Sequence, residues 1–293
     1  MRLVTYKKGA LVGVGVRVGE GIVPTGYLDM IELLESGDEG LSHAAEAAAL
    51  GPDSAIEPDR ILAPIPRPQK ILGSGPNFLK HLEEEPGAIL TDEQFFFSKL
   101  PSSVIGPGEP IEILRPDLQF DYEVELGIVI GKEARWVSEE AAMDHVAGYT
   151  VIHDASSRWI QFKDEQITLG KGLDTMCPMG PDLVTKDEID DVDDLQMRTY
   201  LNGELMQDES TGAMRFKVGG MISYLSEMFT LVPGDVISAG TPDGIGCFRD
   251  PPIYLKAGDE VTVSIEGIGD LTNPVAEAER QLSDRYFFRQ KYE

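Results

Sequence analysis

Two glutamates one residue apart, Glu123 and Glu125, sit in the run Asp121-Tyr122-Glu123-Val124-Glu125-Leu126-Gly127-Ile128-Val129-Ile130. The run alternates with a period of two. Tyr122, Val124, Leu126, Ile128 and Ile130 fall on one side; Asp121, Glu123, Glu125, Gly127 and Val129 fall on the other. This is the pattern of a β-strand over 121–130 with one wholly apolar face. Glutamate is depleted in strands, yet two share a face here, about 7 Å apart along the strand. That face continues into Gly127 and Val129, so it is not simply a solvated side. Ionised carboxylates left unpaired in such a place cost several kcal/mol each, and a hard divalent cation is the obvious partner.

Asp154 offers a third carboxylate, at the end of a strand expected from Tyr149. Oxygen-only ligation by Glu123, Glu125 and Asp154 favours Mg²⁺, Mn²⁺ or Ca²⁺ over Zn²⁺. The same acids also fit a structural ion-pair network with Arg158, Lys163 or Lys171, and the pattern alone does not separate the two. His81 and Glu84 are three residues apart on a short expected helix and share a face. An imidazole oriented by a carboxylate can take a proton from water, although Glu83, Glu84 and Glu85 also read as the charge run of a solvated face. Lys171 lies between Gly170 and Gly172, either holding an anion where backbone approaches a ligand or marking a surface turn. The loop Gly240-Thr241-Pro242-Asp243-Gly244 can bind an oxyanion through its amides and the Thr241 hydroxyl. Gly73-Ser74-Gly75 lacks the rest of a dinucleotide fingerprint. His43 and His145 read as surface residues, and His153 should face away from Asp154.

Those residues must be positioned by a chain of 293 residues with 42% hydrophobic content, enough for a sizeable core. Acidic residues number 51 against 25 basic, a net charge of −26. That balance argues against nucleic acid and anionic membranes as partners, and requires a local cation for any anionic substrate. No apolar run approaches the roughly 18 residues of a membrane span. The opening Met1–Lys7 lacks an apolar signal region. The two cysteines, Cys177 and Cys247, read as buried thiols in a reducing compartment, so the expected location is cytoplasmic.

Residues 1–65 read as a small N-terminal α+β unit. Val12 to Val23 suggests a hairpin, and Tyr27 to Leu34 and Leu41 to Leu50 suggest helices. Pro64, Pro66 and Pro68 mark a linker. Residues 66–293 then form the catalytic, metal-binding domain. Asn77 reads as the N-cap of a two-turn helix ending before Pro86. Strands are expected at Lys70–Leu72, Phe95–Ser98, Ile111–Leu114 and Tyr149–Asp154, with a helix from Ser138 to near Gly148. Asn202-Gly203 is a type I′ hairpin signal. The tail from Ala276 reads as a peripheral helix. Helices are few and dispersed, so the fold class is α+β with a mixed sheet folded on itself.

Taken in order, these motifs resemble the fumarylacetoacetate hydrolase family, from about Lys70 to Asn273. Phe97-Ser98-Lys99 precedes the Glu-x-Glu strand. Ala147-Gly148-Tyr149-Thr150-Val151, Asp154, Arg158 and Gln161 follow, then Gly170-Lys171, Asp174-Thr175, Pro178 and Gly180-Pro181. Asn202-Gly203-Glu204 with Gln207, Pro233-Gly234-Asp235 and Gly240-Thr241-Pro242 complete the series. The resemblance implies a mixed β-sandwich roll of the family's C-terminal type, usually a homodimer. It implies Glu123, Glu125 and Asp154 as metal ligands, Lys171 and Thr175 beside the metal, and Gln161, Thr241 and Arg158 at the substrate. His81 and Glu84 match a proton-transfer dyad on a lid. Phe78, Trp159 and His153 stand where relatives often carry Tyr, Asp and Asn; these departures leave the metal ligands intact and bear on the substrate.

The implied chemistry is that of a 2-oxo acid bound to Mg²⁺ or Mn²⁺, with Ca²⁺ a further candidate. The leading expectation is a hydrolase that cleaves a C–C bond in an acylpyruvate-like or sugar-derived 2,4-dioxo acid, because His81 and Glu84 are at dyad spacing. A decarboxylase or isomerase/tautomerase on the same site is the alternative. A non-catalytic metal-binding homologue is the alternative of another class.

Overall fold

The computed structural model describes residues 1–84, 90, 92–163 and 166–283. Two mixed sheets carry the α+β architecture. The larger runs, edge to edge, through Gly21–Pro24, Leu11–Val18, Arg2–Lys8, Cys177–Thr185, Val146–His153, Val124–Ile130, Val236–Ser238, Ile71–Ser74 and Phe96–Lys99. Along that path the neighbours are antiparallel except Val236–Ser238 against Ile71–Ser74; off it, Val104–Ile105 also pairs in parallel with Cys177–Thr185. The smaller runs through Glu204–Ser210, Gln196–Leu201, Glu260–Ile265, Gly269–Glu277 and Ile111–Ile113, with the last pair parallel.

Alternation along the central strands builds two cores. Val124, Leu126, Ile128 and Ile130 pack with Tyr149 and Val151 against Met197, Val261, Val263 and Leu271 of the smaller sheet. Val129 and Ile152 point the other way, into a second core closed by Met30, Leu33, Leu34, Ala44 and Ala47. Those five come from helices Met30–Glu35 and Asp38–Ala49. The strand Val124–Ile130 is therefore buried on both faces, as a central strand between two packed layers must be.

Residues 1–65, expected as a separate small unit, join the large sheet. Leu3 pairs with Leu183, and Leu3, Val14 and Val16 share a core with Val129 and Met179. Ala63 and Ile65 of the proline-rich stretch are buried in that core too. The boundary expected near residue 65 thus divides sequence that shares one sheet and one core. The hairpin of Leu11–Val18 with Gly21–Pro24 forms as expected, and Asn202 and Gly203 both take positive φ (52° and 82°) in a tight turn.

Several local expectations shift. The run 121–130 is two strands: Phe120–Asp121 pairs with Ser156–Ser157, and Val124–Ile130 pairs with Val146–His153. The first helix starts at Met30, where Asp29 caps it by accepting from Ile31 and Glu32 N–H. The helix from Ser138 is only Glu139–Ala142 and a 3₁₀ turn, because the strand begins at Val146. Asn77 does not act as a cap; its buried side chain bonds Phe216 and Ala239 backbone. Ala276 and Glu277 end a strand rather than opening a helix, and 284–293 lie outside the described residues. The lid helix is described as Leu79–Glu84; its expected end, 85–86, lies outside them as well.

Candidate active site

Strand register brings the acids together. Val124 pairs with His153, and Asp154 N–H donates to Glu123 C=O at 3.0 Å. Asp154 therefore sits opposite Glu123, and directly opposed residues share a face. Glu125 lies two residues on, on the same face. The three buried carboxylates offer one oxygen each, all within 4.8 Å of one another. His153 pairs with Val124 and faces away. Its buried Nε2 lacks a hydrogen-bond partner, and burial, with Lys99 nearby, keeps it neutral with a pKa of about 3.

Three buried cations surround the trio. Arg158 donates from Nη2 to Glu123 at 2.5 Å, from Nε to Asp121 at 2.8 Å and from Nη1 to Gln161 Oε1 at 2.9 Å. Lys171 Nζ bridges Glu123 Oε2 at 2.5 Å and Asp154 Oδ2 at 2.8 Å. Lys99, fully buried, binds Asp154 Oδ1 and the Lys171 carbonyl. Burial disfavours the Glu123 carboxylate, but Arg158 and Lys171 outweigh it and hold its pKa well below the usual range. The Lys171 ammonium is likewise opposed by burial and kept by Asp154 and Glu123, which raise its pKa.

Glu125 differs from its neighbours. It has no salt bridge among the described residues; Ser238 Oγ donates to it at 2.5 Å and Gly240 N–H at 3.0 Å. Burial, then the charges of Asp154 and Glu123, push its pKa up to about 8. Asp121, Glu123, Glu125 and Asp154 make four carboxylates against three cations. One fully buried acid thus faces two others without a counterion of its own. A divalent ion satisfies that donor set, and all-oxygen ligation suits a hard cation. The network of Arg158 and Lys171 expected as the alternative is also present, but it leaves Glu125 out. Lys163, the third cation considered, stands over the Trp159 ring at 4.7 Å.

The acids floor a cleft of about 130 Å³ that also exposes Lys171, Arg158, Gln161, Thr241 and His81. Phe95, Phe97, Phe162 and Phe248 form its walls. His81 Nδ1 meets Glu84 Oε2 at 3.3 Å, and Glu84 Oε1 accepts from Gly244 N–H at 2.8 Å. The lid helix is thereby pinned to the loop after Val236–Ser238. All nine residues expected at the site are gathered here: eight line the cleft directly, or as a carboxylate ligand atom beside it, and Glu84 stands behind His81. Thr175 is different: its hydroxyl accepts from Glu112 N–H at 2.9 Å.

The sequence reading gave no role to Lys99, Asp121, Ser238 or Gln207. Asp121 seemed to share the face of Glu123. The strand break after it instead turns its carboxylate to Arg158 and to the N–H groups of Gly246 and Cys247. Nothing in a four-residue strand ending Ser98-Lys99 marks that lysine as fully buried.

Two packed mixed sheets with an acidic trio at the end of the central strand pair define an α+β metal-binding fold. The family description Fumarylacetoacetate (FAA) hydrolase C-terminal matches residues 70–276. The chain is 41% identical over 288 residues to the mitochondrial oxaloacetate tautomerase fahd2 of Xenopus laevis, covering 94% of this chain and 90% of that protein. It is 38% identical over 258 residues to the oxaloacetate tautomerase YisK of Bacillus subtilis, covering 84% and 86%. The maleylpyruvate hydrolase of Sphingobium sp. SYK-6, solved with manganese(II) and pyruvate, superposes with a TM-score of 0.79 at 31% identity, covering 95% of this chain and all (100%) of that one. The chain belongs to the fumarylacetoacetate hydrolase family.

Proposed function

We propose that this protein is a divalent-metal-dependent enzyme for a small 2-oxo acid, and that its reaction is the keto–enol tautomerisation of oxaloacetate. The observation that carries the metal-dependent reading is Glu125: a buried carboxylate beside two others, with no cation of its own. The choice of tautomerisation over hydrolysis rests on likeness. The relatives named oxaloacetate tautomerase match at 41% and 38% identity, whereas the hydrolase with pyruvate matches at 31%. Hydrolysis, first from the sequence, becomes the second reading.

Glu123, Glu125 and Asp154 would hold Mg²⁺ or Mn²⁺. The ion would supply Lewis-acid polarisation of a 2-oxo group and its carboxylate. Gln161 is oriented because its Oε1 accepts from Arg158, which leaves its NH₂ to donate to substrate. Thr241 contributes a hydroxyl from the opposite wall. Arg158 has a protein partner at each of its three nitrogens, so it acts on the substrate mainly by holding Glu123 and Gln161. Lys171 keeps positive charge at the floor. His81 binds Glu84 through Nδ1, so Nε2 is the proton carrier. It takes the C3 proton, the C–H pair becomes the C2–C3 double bond as the C2=O π pair moves onto the 2-oxygen, and His81 returns its proton to that oxygen. For a 2,4-dioxo acid the same Nε2 would activate water at the distal carbonyl; the His81–Glu84 contact favours this second reading.

The test follows the enol absorbance of oxaloacetate with Mg²⁺ or Mn²⁺, before and after chelation, beside assays for pyruvate release from 2,4-dioxo acids. Turnover should vanish with chelator and return with either ion. Turnover indifferent to chelator removes the metal role; pyruvate release without tautomerisation promotes the hydrolase. A homodimer in the cytoplasm belongs to the same reading and is tested by light scattering and cell fractionation.

A further inference from the structure

Gln207 lies in the strand Glu204–Ser210 of the smaller sheet, yet its side chain reaches Val124 of the larger one and the loop that follows Val236–Ser238. Its Oε1 accepts from Val124 N–H at 3.1 Å and from Thr199 Oγ1 at 2.7 Å. Its Nε2 donates to Thr241 Oγ1 and to Pro242 C=O, both at 2.9 Å. The amide is fully buried, and two donors and two acceptors serve its oxygen and nitrogen. Val124 N–H can only donate and Pro242 C=O can only accept, so the orientation of the amide is fixed by chemistry. Gln is mostly an exposed residue, and burying an amide is tolerated only when it is satisfied in this way.

The backbone delivers it there through an irregularity. Pairing between Gln196–Leu201 and Glu204–Ser210 shifts register between Thr199 and Tyr200. Met206 and Gln207 are consequently both buried although adjacent, where a regular strand would turn one outward. Such shifts re-aim a side chain beside functional sites.

We propose that Gln207 is a positioning residue that sets the distance between the acidic pair and the substrate wall. It grips Val124, the residue between Glu123 and Glu125, with one end of its amide. With the other it grips Thr241, one residue past the Gly240 amide that holds Glu125. The two halves act separately: the oxygen fixes the metal side and the NH₂ fixes the Thr241 loop. The second half rests on the proposed function, because Thr241 touches substrate only in that reading.

The experiment compares Gln207→Glu and Gln207→Met with the full wild-type chain. Glu keeps an acceptor for Val124 and loses the donating NH₂; Met loses both halves at similar length. Three readouts are taken: amide hydrogen exchange, Mn²⁺ binding by calorimetry, and binding of oxalate, a 2-oxo acid mimic, to the Mn²⁺-loaded protein. In Gln207→Glu, exchange at residues 241–248 should accelerate about tenfold and oxalate binding weaken about tenfold, with Mn²⁺ affinity within about threefold of wild type. Gln207→Met should also weaken Mn²⁺ binding by about tenfold. Equal loss of protection across both sheets with unchanged oxalate affinity would reduce Gln207 to a core residue and overturn the proposal. If wild type binds neither Mn²⁺ nor oxalate, the functional reading fails instead. Exchange then decides for Gln207: acceleration confined to 241–248 upholds the strut, and its absence overturns it.

Discussion

The floor of the cleft and its lid are built in opposite ways. Glu123, Glu125 and Asp154 stand on the paired central strands or immediately beside them, and each accepts hydrogen bonds from a buried donor. Cores pack on both sides of them. His81 stands on the helix described as Leu79–Glu84, half-buried, and its partner Glu84 is held by the Gly244 amide. The described part of that helix is held by polar contacts: Lys80 to Glu209, His81 to Glu84, and Glu84 to the Gly244 amide. In the proposed reading, rigid register fixes where an ion would go, and the segment carrying His81 would bring the proton carrier. Reaction type can therefore vary in the lid without disturbing the floor.

The largest effect should come from the floor. Asp154→Asn, nearly isosteric, should lower turnover by more than about a thousandfold and abolish Mn²⁺ binding, with unchanged circular dichroism. Equal turnover would break the contrast between floor and lid. His81→Ala should lower kcat by about 10²–10⁴-fold while leaving Mn²⁺ affinity as it was; a large loss of metal binding would show that lid and floor are one unit.

Stability separates two acids inside the floor. Glu123→Gln leaves Lys171 and Arg158 short of a buried partner and should cost about 3–5 kcal/mol in the metal-free protein. Glu125→Gln removes the acid without a counterion and should leave the metal-free melting temperature unchanged or higher, while metal affinity is lost. Equal destabilisation by both would contradict the charge arrangement.

The pH dependence has a definite sign. Glu125 is raised from 4.5 to about 8, so between those values the folded, metal-free protein binds more protons than the unfolded chain. Its contribution to stability is complete below the unfolded value and is lost as pH rises through about 8. Glu123 is lowered, so its contribution is present above 4.5 and is lost as pH falls through its folded value. Because the ion must displace the Glu125 proton, Mn²⁺ affinity should rise about tenfold per pH unit from 6 to 8 and then level off. A flat profile in calorimetry would place the proton elsewhere. The smallest effect is expected on the wall: Thr241→Val should raise KM by about tenfold or less with kcat little changed.

Much of the floor was legible because a period of two is a local signal: Glu123 and Glu125 announce a shared face within three residues. The spacing of His81 and Glu84 is equally local. What stayed hidden depends on partners far along the chain. Asp121 left the common face because its strand breaks to pair with Ser156–Ser157. Lys99 is buried because Asp154, 55 residues away, meets it. Gln207 turns inward at a register shift that no side-chain alternation encodes. The pairing of residues 1–65 with the large sheet is hidden for the same reason, since Leu3 finds Leu183 only in three dimensions.

That last pairing has a practical side. The segment matched to the family begins at residue 70, yet Arg2 and Leu3 pair with Val184 and Leu183 at the end of Cys177–Thr185. A truncated protein starting at residue 70 would bare the backbone of that strand end, beside the Val146–His153 strand that leads into Asp154. Uncovered edges recruit other chains, so such a fragment should self-associate before it could be assayed, and deletion studies would mistake aggregation for a missing catalytic group.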